Sequence, residues 1–130
     1  MKAFILVSAG ALLATTAAFA EGAIMSNVPS SSLTVTDWYK QDVYDQSNSK
    51  IGKIDDVLVG QNGQVSALIV GVGGVLGAGE KDVAVDFSAV KQTMKDNKVY
   101  LTMNTTKDAL KSAPGFKYDS TKTAWVPDSK

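Results

Sequence analysis

Apolar residues in this chain recur mostly at every second position, in short runs parted by Gly, Asn, Asp and Ser. That pattern predicts strands and tight turns rather than helices. The plainest stretch runs from Ile51 to Asp86. It predicts a strand over Ile51–Val59, a turn at Gln61-Asn62-Gly63 whose Asn-Gly pair supplies positive φ angles, and a strand over Val65–Val72. A glycine-rich loop and a strand over Asp82–Asp86 follow. The alternation slips at Asp55-Asp56, because Ile54 and Val57 are both apolar yet three apart. A β-bulge there returns both to one face. From Ala67 to Val70 the third strand is apolar on both faces, which predicts one face on the core and the other under a helix, under the tail, or in a homodimer.

The flanks extend the pattern. Gln41–Tyr44 reads as a short strand, followed by a turn over Asp45–Ser49 that Asx and Ser side chains favour. Phe87–Val90 turns a corner, and Gln92–Met94 with Val99–Met103 form a hairpin closed by Lys95-Asp96-Asn97-Lys98. Thr36 is placed to cap a short helical turn carrying Trp38 and Tyr39. Thr105-Thr106-Lys107-Asp108 reads as a capping box opening a helix through Ser112, which Pro114 and Gly115 end. The expected fold is therefore mainly all-β: a small barrel of about six strands with one short C-terminal helix. Residues 33–118 form the expected domain, 21–32 a flexible leader, and 119–130 a polar tail held back onto the barrel by Tyr118 and Trp125.

The N-terminus has the form of an export signal. Lys2 is the basic start, Ala3–Ala14 the apolar stretch, and Ala18-Phe19-Ala20 the small-residue cleavage pattern. The expectation is cleavage after Ala20 and a periplasmic location, the alternative being an inner-membrane anchor made of residues 1–20.

Composition narrows the chemistry. The 130 residues carry 13 basic and 13 acidic side chains and contain no His and no Cys. Disulfides, thiolate nucleophiles, Cys/His zinc sites and Ser-His-Asp triads are excluded. All basic residues are Lys, so the bidentate Arg fork that grips phosphate and reads guanine is missing, and no charge excess draws the chain to nucleic acid.

Four segments, Ile51-Gly52-Lys53-Ile54-Asp55-Asp56-Val57-Leu58-Val59, Asn62-Gly63-Gln64-Val65, Val70-Gly71-Val72-Gly73-Gly74-Val75-Leu76-Gly77-Ala78-Gly79-Glu80-Lys81 and Val83-Ala84-Val85, together resemble the PRC-barrel domain. That domain is named for the H subunit of the photosynthetic reaction centre and also occurs in a ribosome maturation factor. Thr105–Lys117 resembles the tail of exported bacterial members. The resemblance implies an all-β docking module without catalysis, and the export signal argues against the ribosome as its partner.

Each site candidate has a plainer reading beside it. The Gly71–Gly79 loop lacks dinucleotide-fingerprint spacing, since the sixth place from Gly71 is Leu76, and Gly79 is followed by Glu80 rather than the Lys of a P-loop. Its glycines serve a sharp turn, while Val75 and Leu76, framed by Gly74 and Gly77, either plug the core or contact a partner. The acids Asp55, Asp56, Glu80, Asp82 and Asp86 read as a solvated face neutralised by Lys50, Lys53 and Lys81, with no metal site. Trp38, Tyr39, Tyr44, Phe87 and Tyr100 read as core and cap, or as the lining of a ligand pocket. Asn104-Thr105-Thr106 reads as a polar turn. No catalytic residue, metal or cofactor is expected. The expected function is docking onto an unidentified envelope protein through the Val75-Leu76 loop, the alternative being carriage of a small apolar ligand.

Overall fold

The computed structural model describes residues 23–73 and 79–129. Two units are distinguished, one ending at Ser32 and one from Leu33 onward. In the first, residues 23–32 are exposed, Ile24, Met25 and Val28 among them. The second holds a helical turn α1 (Val35–Trp38) and strands β1 (Asp42–Tyr44), β2 (Lys50–Val59), β3 (Val65–Val72) and β4 (Lys81–Asp86). After a 3-10 turn at Phe87–Ala89 come β5 (Val90–Lys95), β6 (Lys98–Met103), helix α2 (Lys107–Lys111), β7 (Phe116–Asp119) and β8 (Ala124–Pro127).

All eight strands among the described residues belong to one sheet, ordered β5-β6-β1-β2-β3-β4-β7-β8, antiparallel except for β1 against β6. The order forces curvature. Laid flat, β4 and β5 would stand five strand spacings apart, about 24 Å. Only the 3-10 turn joins Asp86 to Val90, and so short a link spans at most about 14 Å. The sheet must curl until β5 returns to β4, which makes β1–β6 a barrel. One core accordingly draws on six strands and both helices: Trp38, Val43, Ile51, Ile54, Leu68, Val70, Val72, Val83, Val90, Leu101, Met103 and Leu110.

Strand number is the main departure from expectation. Six strands make the barrel, but residues of the expected tail form most of a further hairpin, β7–β8, joined to β4 through the pair Asp82↔Phe116. The hairpin covers a face that alternation leaves exposed. Ile69, between the core residues Leu68 and Val70, points outward yet is buried. Its partner in register is Asp56, whose carboxylate accepts the Trp125 indole N–H at 2.7 Å. Trp125 thus anchors the C-terminus, whereas Tyr118 packs edge-on against Trp125 and stays half exposed.

Local signals held where one side chain settles them. The β2–β3 register shifts between Ile54 and Asp56, so the bulge lies where the broken alternation placed it. Asp96 and Asn97, with φ of 54° and 63°, close the β5–β6 hairpin, and Asp45 Oδ1 accepts the amides of Ser47 and Ser49. The helix caps differ from expectation. Thr34, not Thr36, caps α1, and Thr106, not Thr105, caps α2 through the Ala109 amide at 3.0 Å. In the Gly60–Gln64 turn only Gly63 has positive φ, so a longer loop replaces the two-residue Asn-Gly turn.

Candidate functional site

Gly74, Val75, Leu76 and Gly77 lie outside the described residues, as do Ala18 and Ala20 of the cleavage pattern. What borders the loop is described. Gly73 and Gly79 have φ of 81° and 75°, the left-handed region that glycine enters without strain. β3 and β4 stay in register out to Val72↔Lys81, so the loop leaves and rejoins the barrel at adjacent points.

Beside it, on the outer face of β2, β3 and β4, the acids converge. The bulge turns Asp55 toward Gly71, where a Cβ would collide with Asp55 Oδ2 and Glu80 Oε2. Asp82 is paired with Gly71 in register, and its Oδ1 is buried without a hydrogen-bond partner. Burial, a hydrogen bond with Asp55, and the charges of Asp55 and Glu80 push the Asp82 carboxyl up to about 7, against a small opposing pull from Lys40. The lysines adjacent in sequence do not neutralise this cluster as expected. Lys50 pairs with Asp42 at 3.1 Å. Lys81 Nζ donates to the Lys111 and Ala113 carbonyls, tying down the end of α2. The nearby cation is Lys40, held at φ 68°, with Nζ 3.8 Å from Asp55 Oδ1.

The raised Asp82 carboxyl sets a sign for stability. The folded state holds this proton more tightly than the unfolded chain does. Its contribution is therefore complete below about pH 4 and lost as pH rises through about 7. Solvent screening limits the effect to about 1–2 kcal/mol. Thermal melts from pH 4 to 8 should show the parent losing stability more steeply than Asp82→Asn, and parallel curves would rule this out. Among the described residues no group of acids could hold a metal ion.

Two concavities flank these elements. A polar cleft of about 430 Å³ is lined by Lys50, Ile51, Gly52, Lys53, Gly71, Gly73, Glu80 and Lys107. Its mixture of ammonium and carboxylate groups makes no single-sign site. The second is an apolar groove of about 50 Å³ lined by Leu33, Thr34, Val35, Trp38, Val57, Val65 and Phe87. Trp38 and Phe87 form its floor, their rings 5.0 Å apart. Leu33 and Val35 are 51% and 56% exposed at its rim, and Val59, opposite Val65 in register, is 61% exposed. The expected aromatic set is split: Trp38 and Phe87 floor the groove, Tyr44 stacks on Tyr100 at 4.8 Å, and Tyr39 is exposed.

Sequence reading passed over the groove because Leu33 and Val35 stand at the domain's first turn and Val57 and Val65 fit their strands. The available signal was an apolar pair, Leu33 and Val35, on an element too short to bury both. Among the described residues no helix is long and apolar enough to cross a membrane. No curated protein matches the chain. A family model, PRC-barrel domain, matches residues 32–110, from the start of α1 through β6 and into α2. That span is more than half of the chain and contains all six strands of the barrel, so the protein belongs to the PRC-barrel domain family.

Proposed function

We propose that this protein is an exported, non-catalytic docking module of the cell envelope, which binds another protein through the apolar groove at the start of its barrel. The observation that carries the reading is the exposure of Leu33 and Val35 at the rim of the Trp38–Phe87 floor, with exposed Val59 beside the lining residue Val65. Apolar side chains grouped at a rim and left in water favour association with a complementary surface. The Val75-Leu76 loop remains a second contact within this proposal.

Carriage of an apolar ligand is less well supported. Ligand pockets for small molecules are usually about 300–1,000 Å³ and mostly apolar. The groove is about 50 Å³, and the larger cleft is lined by four charged side chains. A shallow apolar groove suits one inserted side chain of a protein.

A photo-crosslinking residue at Val35 of the full chain, expressed in its host, tests the proposal. We expect one discrete crosslinked envelope protein, absent when the probe is moved to Lys95 at the β5–β6 tip, and a roughly 10-fold weaker band with Val59→Asp. Equal crosslinking from both positions, or indifference to Val59→Asp, would overturn it.

A further inference from the structure

We propose that the groove accepts an apolar side chain from a short apolar segment of the partner protein whose flanks carry lysine or arginine. This rests on the docking reading and adds the chemistry of what docks. Of the lining side chains only Thr34 and Trp38 carry a hydrogen-bonding group, and both are engaged: the Thr34 hydroxyl donates to Asp37 Oδ2 at 2.8 Å and the Trp38 indole N–H donates to Gln92 Oε1. The centre of an occupant must therefore be apolar, because a polar group placed there would lose its water without gaining a partner.

Two exposed carboxylates belong to the segments that line the groove. Asp37 is exposed in α1 between Val35 and Trp38, and Asp86 is exposed immediately before Phe87. The Ser88 hydroxyl and amide both donate to Asp86 Oδ1, at 2.7 and 2.8 Å, and hold its carboxyl below the ordinary range, so it is ionised at neutral pH. No lysine is among the described lining residues. The lysine that follows α1, Lys40, reaches Asp55 instead. Two carboxylates next to an apolar floor attract a basic-flanked segment and repel an acidic one or an anionic lipid surface.

The test is an amide-resolved NMR titration of the full chain with two synthetic octapeptides. Both share a Leu-Phe-Leu-Val centre; one is flanked by Lys pairs and the other by Glu pairs. The Lys-flanked peptide should shift the amides of Val35, Trp38, Val57, Val65 and Phe87 and bind about 10-fold tighter than the other, an advantage that shrinks in 0.5 M salt. Asp37→Asn with Asp86→Asn should abolish the preference yet keep the groove shifts, and Asn preserves the cap at Asp86. Equal affinity of the two peptides, or a preference unchanged in the double variant, would overturn the charge assignment and leave docking standing. Absence of groove shifts with either peptide, or groove shifts with phosphatidylglycerol vesicles in their place, would overturn the proposal itself. The Val35 crosslink judges the docking reading separately.

Discussion

Leu68→Ala is expected to lower the unfolding free energy by about 3 kcal/mol, the largest effect of any single substitution considered for this chain. Leu68 has no exposed surface and lies in the middle of β3, the strand flanked by β2 and β4. Its pairs in register are Val57 and Val85, which are packed against the same core. Ladder hydrogen bonds on both sides hold the β3 backbone, so the cavity cannot close by strand movement. For a domain of this size the melting temperature should drop by roughly 12–20 °C. In urea the midpoint should fall with an unchanged slope. Val59→Ala, at an exposed position of β2, should stay within about 0.5 kcal/mol of the parent. A Leu68→Ala loss below about 1 kcal/mol would mean that β3 does not run through the core.

The second large effect is the opposite fault, overpacking. Gly52→Ala should cost about 2 kcal/mol. An added Cβ would stand 2.6 Å from Val70 Cγ1 and 2.9 Å from the Gly71 carbonyl oxygen. Neither can yield easily, since Val70 is fully buried and Gly71 is paired on both sides, to Lys53 and Asp82. A cycle with Val70→Ala separates the two contacts. Removing the methyl should make the double variant more stable than the sum of the single losses by about 1 kcal/mol, the carbonyl clash accounting for what remains. Strict additivity would show that Gly52 and Val70 do not meet.

The two predictions differ in how far the sequence led to them. Leu68 sits in a run of alternating and then continuous apolar residues, and burial follows from that pattern alone. Gly52 carries no such signal. It reads as an ordinary glycine near a strand start, and only the approach of β3 shows why a side chain has no room there.

The same division runs through the polar face. The bulge at Asp55-Asp56 was legible because it breaks a period of two. Its consequence was not, because that depends on which strands lie alongside. Asp55 meets Glu80 across Gly71, and Asp56 receives Trp125 from the last strand. Neighbours along the chain are not charge partners in space for the same reason. In a strand, adjacent side chains point to opposite faces, so Lys81 cannot neutralise Asp82; it turns to the end of α2 instead.

Sequence by itself determined the strand class, the β2–β3 and β5–β6 hairpins, the bulge and the family, because each rests on local periodicity, turn chemistry or sequence motifs. Tertiary structure alone decided that the short Asp86–Val90 link curls the sheet into a barrel, that the C-terminal residues add a hairpin over Ile69, and that Leu33, Val35, Val57, Val65 and Phe87 meet at Trp38 in one apolar groove. Those features join residues from distant segments, and nothing in a local pattern records which distant segment will cover an apolar face or leave it open.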